Sequence, residues 1–184
     1  MDVWEAIEKR RTVRVFKKPV PENLLRKLIL AGSKAPSGGN SQPWEFIIVN
    51  DATLIEKIAE QKYYNNLKRT GATEEAATHQ RNVYQNSSVV AICFKKNGLA
   101  SAAAWMTTLN IALAATAEGI CCVTSTLGGE YKQTVQKLLG LPEEYELATV
   151  IVMGIPKSIP LKKEGGVVRP DFSWLHINKF GNSK

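Results

Sequence analysis

Histidine and cysteine are scarce in this chain of 184 residues: the only histidines are His79 and His176, and the only cysteines are Cys93, Cys121 and Cys122. The histidines lie far from each other and from the cysteines, and no zinc spacing occurs, so a metal centre has no ligand set to draw on. Adjacent cysteines bridge only with strain, which argues against a disulfide framework and for buried thiols in a reducing compartment. Also missing are Gly-x-Gly-x-x-Gly after a strand, Gly-x-x-x-x-Gly-Lys-Ser/Thr and Gly-x-Ser-x-Gly. Dinucleotide binding on a Rossmann unit, phosphate transfer on a Walker loop and serine hydrolysis by a nucleophile elbow therefore lose their main support. The chain starts Met-Asp-Val-Trp-Glu-Ala-Ile, with no basic stretch leading into an apolar one, so no secretory signal is expected and the reading is cytoplasmic. Ala100 to Ala117 is uncharged, but Ser101, Thr107, Thr108, Asn110 and Thr116 among its alanines make it a weak membrane span. A helix buried in a core or a subunit interface accounts for it better. With 44% hydrophobic and 22% charged residues, no repeat and no low-complexity tract, the expectation is one globular domain over residues 1–184.

What is present starts with charge. The net charge of +7 invites a nucleic-acid reading, but six of the 24 basic residues fall between Lys9 and Lys18 and the rest are scattered. A local anionic ligand fits that clustering at least as well. If Arg10 to Phe16 is extended, Arg10, Thr12 and Arg14 share one side, with Val13 and Val15 on the other. Guanidinium forks on one edge suit phosphate oxygens. The second feature is Ala-Pro-Ser-Gly-Gly-Asn-Ser-Gln-Pro-Trp, residues 35–44. Two prolines without N–H donors, two glycines free to take positive φ and four polar side chains make this a shaped loop between regular elements, where binding groups usually sit.

Around these features the periodicity predicts alternating helices and strands. Helices are expected over residues 2–9 with Asp2 as cap, from Leu24 towards Lys34, around Leu54, Ile55 and Ile58, over the alanine-rich stretch to Gly119, and from Tyr131 to Gly140. Strands are expected at Phe46 to Val49, Val89 to Phe94, Cys121 to Thr124 and Ala148 to Met153. Gln61 to Asn86 is polar with little apolar periodicity and reads as a lid or a surface helix pair, with the lid favoured. The hydroxyls and glycines of Thr124 to Gly129, at the end of a strand, are a candidate ligand edge. From residue 155 to 184 the chain reads as an irregular tail, apolar enough to wrap a surface such as another subunit's. No acid, base, nucleophile or metal stands out, so the chemistry is assigned to a cofactor.

Arg10-Arg11-Thr12-Val13-Arg14-Val15-Phe16, Ala35-Pro36-Ser37-Gly38-Gly39-Asn40-Ser41-Gln42-Pro43-Trp44-Glu45-Phe46, Leu139-Gly140-Leu141-Pro142 and Gly154-Ile155-Pro156 together resemble the FMN-dependent nitroreductase family, in order and spacing over almost the whole chain. The resemblance implies an α+β fold with a central, mostly antiparallel sheet flanked by helices, in an interlocked homodimer with two FMN sites at the interface. It implies that Arg10, Arg11, Thr12 and Arg14 hold FMN from one subunit, with Arg10 near the phosphate and Arg14 near the pyrimidine edge. Pro36, Ser37, Gly38 and Asn40 would come from the partner subunit. Thr124, Ser125, Thr126, Leu127 and Gly128 would approach flavin N5, with Thr126 its partner, and Arg169 would reach the phosphate. The implied activity is ping-pong reduction of nitroaromatics or quinones by NADH or NADPH, without nucleic acid or membrane as partner. Within the same superfamily, Thr124-Ser125-Thr126-Leu127 is also similar to the loop of dehalogenases of the iodotyrosine deiodinase type, with Glu60, Tyr64 and Arg81 as candidate substrate residues. A non-catalytic module that binds anions or nucleic acid is the alternative from another class.

Overall fold

The structure, a computed structural model, describes residues 1–159 and 174–180. Five strands form one sheet: β1 (Phe16–Pro19), β2 (Trp44–Val49), β3 (Ser88–Lys95), β4 (Cys121–Ser125) and β5 (Tyr145–Pro156). Every ladder in it is antiparallel. β5 is the longest strand and pairs with β3, β4 and β1, while β2 extends the sheet from β3. Six helices complete the order: α1 (Val3–Lys9), α2 (Glu22–Gly32), α3 (Ala52–Leu67), α4 (Glu74–Asn82), α5 (Ala100–Ala117) and α6 (Gly129–Leu138). The expected α+β class and mostly antiparallel sheet are observed.

The central strands are near-continuous apolar runs because both of their faces are covered. Val89, Ala91 and Cys93 of β3 enter one core with Ile58 and Ala59 of α3 and Val135 of α6. Val90, Ile92 and Phe94 enter the other with Leu25 and Leu28 of α2 and Ala104, Ile111 and Ala115 of α5. The strand's period of two thus sorts its side chains between two helical layers. Small side chains let α5 lie close to the sheet and to α2: an added Cβ on Gly32 would stand 2.6 Å from Ile111 Cγ1. No helix among the described residues is long and apolar enough to cross a membrane. Asp2 caps α1 as expected, its carboxylate accepting from the Glu5 N–H at 2.9 Å.

Three expectations are corrected. Val13 is buried but Val15 is half exposed. Residues 10–15 make only one bridge, Thr12 beside Cys122 in parallel, and without a continuous ladder nothing imposes a period of two there. The apolar residues that anchor this segment are Val13 and Phe16, three apart. Gln61 to Asn86 takes the surface helix-pair reading and not the favoured lid: α3 runs unbroken to Leu67, and α4 packs on it through Ala77, with Val83 and Tyr84 buried just beyond. Ile155 and Pro156 belong to β5, opposite Lys18 and Phe16, so the tail starts later than expected. Its wrapping course falls mostly on residues outside those described.

Gly154 is where three strands meet, paired with Pro19 of β1 and Cys121 of β4. An added Cβ would stand 2.9 Å from the Lys18 carbonyl oxygen and 3.0 Å from Phe16 Cβ. Gly154→Ala is therefore expected to destabilise the fold by about 1–3 kcal/mol, because the obstruction is backbone and cannot rotate away. Urea unfolding measures this, and an unchanged midpoint would contradict the packing at this crossing.

Candidate functional site

The arginine edge is held against β4 by the Val13 N–H, which donates to the Cys122 carbonyl at 3.3 Å. Arg10 lies close enough to Cys122 that its charge opposes the effect of burial, which still pushes that thiol up to about 11. Neither Arg10 nor Arg14 makes a side-chain hydrogen bond among the described residues, and Thr12 is exposed beside them. Arg11 is engaged by the backbone of its own chain. Its Nη1 donates to the Glu8 carbonyl at 2.6 Å and the Arg10 carbonyl at 2.9 Å, so it satisfies the C-terminal end of α1.

The loop after β4 alternates. Thr124, Thr126 and Gly128 are exposed, whereas Ser125 and Leu127 are buried. Ser125 Oγ accepts from the Tyr84 hydroxyl at 2.7 Å, and Leu127 packs in the α3/α6 core. Ser125 and Leu127 therefore turn away from any ligand, and burial raises the Tyr84 phenol so that it stays a neutral donor. This internal anchoring presents the two threonine hydroxyls on a rigid strand end.

Sequence reasoning missed Lys62. It is 6% exposed, and its Nζ donates to the Thr126 carbonyl at 2.7 Å, tying α3 to the β4–α6 loop. Desolvation first, then the charges of Arg69 and Arg14, push its pKa down to about 8. Asn66, one turn on and also buried, donates to the Lys62 carbonyl at 2.8 Å. The signal was there: the core-facing stripe Ile55, Ile58, Ala59 continues at helical spacing into Lys62 and Asn66, and a buried stripe that turns polar marks a site.

The 35–44 loop is pinned by Ala35 and Trp44 against Ala103 of α5. Between them a single 3₁₀ turn, Gly38–Asn40, carries positive φ at Gly39 (59°), followed by Asn40 (55°) and Gln42 (45°). Two non-glycine residues in the left-handed region store strain of the kind found at binding sites. Ser37 Oγ accepts from the Gln42 N–H at 3.0 Å, and Asn40 Oδ1 from Gln42 Nε2 at 3.2 Å, while Pro36, Gly38 and Asn40 remain exposed.

Within one chain the two halves of the expected site do not meet. Thr12 bridges to Cys122, whose partner on β5 is Met153, whereas Trp44 pairs with Phe94, whose partner on β5 is Glu146. Those two levels of β5 are about 23 Å apart at a strand's rise per residue. The candidate substrate residues lie along one side of α3, with Glu60 and Tyr64 one turn apart and Arg81 held one turn before Glu60. Glu60 and Tyr64 are exposed on α3, and Arg81 Nη2 pairs with Glu56 Oε1 at 2.9 Å. Arg81 and Glu56 line a cavity of about 260 Å³ with Tyr84, Gln85 and Asn86, which includes neither Glu60 nor Tyr64. Arg169 lies outside the described residues. No cluster of metal-ligating side chains occurs among the described residues.

The donor set suits a flavin mononucleotide. Guanidiniums at Arg10 and Arg14 that make no ion pair among the described residues, and exposed hydroxyls at Thr12, Thr124 and Thr126, provide cations and donors for it. A model of the nitroreductase family matches residues 7–155. A protein of Methanothermobacter thermautotrophicus, provisionally named NADH dehydrogenase/NAD(P)H nitroreductase, is 31% identical over 186 residues, covering 98% of this chain and 88% of the relative. An iodotyrosine deiodinase of Thermotoga neapolitana is 28% identical over 167 residues, covering 84% of this chain and 88% of its own. Among solved structures, one from Parabacteroides distasonis, provisionally named like the first relative, superposes with a TM-score of 0.78 at 25% identity, over 97% of this chain and 98% of that one.

Lys62 carries a stability prediction. Its fall from 10.5 to about 8 means that keeping it charged in the fold costs up to about 3 kcal/mol. Between those two values the unfolded chain holds a proton that the folded one has lost, so the parent's stability rises with pH across that window. Lys62→Met is expected to stabilise the flavin-free protein by about 1–2 kcal/mol near neutral pH. The advantage should shrink as pH rises through the window from about 8. Urea unfolding of both proteins at about pH 7 and about pH 9.5 measures it; a pH-independent difference would mean that Lys62 is solvated.

Proposed function

The chain belongs to the nitroreductase family, and we propose that it binds FMN and uses NADH or NADPH to reduce small electron-poor acceptors such as nitroaromatics and quinones, in alternation at one site. The bound flavin would supply a store of two electrons that the nicotinamide fills and the acceptor empties. The chain's own residues bind and orient. Arg10 supplies a fork donor for the phosphate, Thr12 a neighbouring hydroxyl, and Arg14 a fixed cation for the pyrimidine edge. Thr124, Thr126 and Gly128 present hydroxyls and backbone from a strand end braced by the Tyr84–Ser125 hydrogen bond.

The working form is a homodimer in which Pro36, Ser37, Gly38 and Asn40 of one chain complete the site begun by Arg10, Thr12 and Arg14 of the other. One observation carries this reading: the separation of the two motifs along β5, which a single chain does not close. The exposed apolar residues support it, with Val3, Trp4 and Ile7 on α1 and Trp105, Met106 and Leu109 on α5 facing outward. The dehalogenase alternative is less supported, because Arg81, one of its candidate residues, is engaged by Glu56.

The purified protein is expected to be yellow and to sediment as a dimer. Arg10→Ala should raise the FMN dissociation constant about tenfold to a hundredfold, the loss of one charge-assisted bond of roughly 1.5–3 kcal/mol. Fluorescence titration with FMN checks this, and equal affinity in both proteins would remove Arg10 from the site. Leu109→Glu, which places a charge on the outward face of α5, should yield monomers that lose FMN. A monomer that binds FMN as tightly as the parent would refute the shared site.

A further inference from the structure

The buried ammonium of Lys62 is left unexplained by a flavin site built on Arg10, Thr12 and Arg14. It has three donors and gives one to the Thr126 carbonyl, so two have no acceptor among the described residues. The charged groups acting on it are Arg69, from the C-terminal end of its own helix, and Arg14, from the segment before β1, both cations. The carboxylates of this region are engaged or face elsewhere. Glu56 pairs with Arg81, Glu74 accepts from the Tyr63 hydroxyl at 3.3 Å, and Glu60 is exposed. Two arginines around a buried ammonium, with no counter-charge among the described residues, make a setting suited to an anion.

A mononucleotide phosphate does not fill it. Arg10 stands beside Cys122 at one end of the segment, and Arg14 stands beside Lys62 four residues on, up to about 14 Å of extended chain away. Two separate groups of cations call for two anionic groups. The phosphate answers Arg10, and the flavin's pyrimidine edge needs no more than Arg14, so Lys62 and Arg69 are in excess of what the cofactor asks.

We propose that Lys62, with Arg69 and Arg14, sets the specificity of the acceptor site by binding a carboxylate on the acceptor, favouring anionic over neutral and ammonium-bearing molecules. The inference rests on the flavin-reductase reading and deepens it. Burial from water strengthens the attraction for a carboxylate and the repulsion of an ammonium alike, so the discrimination works in both directions. It also sets this chain apart from a reductase of free amino acids, whose ammonium group would meet the cations. The Thr126 carbonyl fixes the position of Nζ, and Asn66 braces the turn of α3 that carries it.

The test is calorimetric titration of the flavin-loaded protein with three unreactive probes of similar shape: benzoate, benzamide and benzylamine. The parent should bind benzoate at least about tenfold more tightly than benzamide, and benzylamine weakest, in keeping with a charge-assisted bond. Lys62→Met should bring benzoate and benzamide within about threefold of each other while its FMN dissociation constant stays within about threefold of the parent's. Lys62→Arg should restore most of the preference. A parent without preference, or a Met variant that keeps it, overturns the inference while leaving the flavin reading intact. A Met variant that loses FMN about tenfold with an unchanged benzoate preference overturns it too, by assigning Lys62 to the cofactor. Protein that neither purifies with FMN nor takes it up would bring down the flavin reading, and this inference with it.

Discussion

Backbone pairing along β5 is the constraint on which the rest of the molecule depends. This strand is bonded to β3 along most of its length and to β4 and β1 towards its C-terminal end, so its register sets the relative heights of the other strands. Both the arginine edge and the threonine loop take their positions from that register, through the Thr12–Cys122 bridge and the β4 ladder. Gly154 lets the strands converge because it has no Cβ to meet the Lys18 carbonyl. Since a one-residue slip would exchange the two cores, the apolar pattern of β3 and β5 holds the register and, through it, the site.

The site itself is stabilised against its own electrostatics. Arg14, Lys62 and Arg69 act on one another without a carboxylate among them, and one is buried. Such an arrangement costs stability in the ligand-free fold, and any anion bound there would offset that cost. The cost is tolerated because the two cores beneath are dense: Ile58, Val89, Val90, Ala91, Val135, Val150 and Ile151 are all fully buried. A buried hydrogen bond from Tyr84 to Ser125 braces the same loop from the core side. The rigid scaffold thus holds a strained and charged surface in place.

Outward-facing aromatic and aliphatic residues on α1 and α5 fit the division of the binding motifs between distant parts of the chain. A helix such as α5, apolar nearly all round, is buried against α2 and the sheet on one side and leaves Trp105, Met106 and Leu109 on the other. Covering that side with a second chain would remove apolar surface from water and bring a second 35–44 loop towards the arginine edge.

By itself the sequence determined the class of fold and most of its elements, because these follow from local chemistry. Continuous apolar runs made β3 and β5, glycine and proline shaped the 35–44 loop, and Asp2 capped its helix. It could not decide which polar residues face the site. Arg11 and Arg10 are identical neighbours, yet one closes a helix end and the other makes no side-chain hydrogen bond among the described residues. Ser125 lies between two threonines, yet bonds inward to Tyr84. Lys62 looks like any surface lysine until the Thr126 loop folds over it. Propensity and spacing act within a few residues, whereas burial, and with it the direction and charge of each side chain, is settled by segments that meet across 41 or 64 positions of sequence.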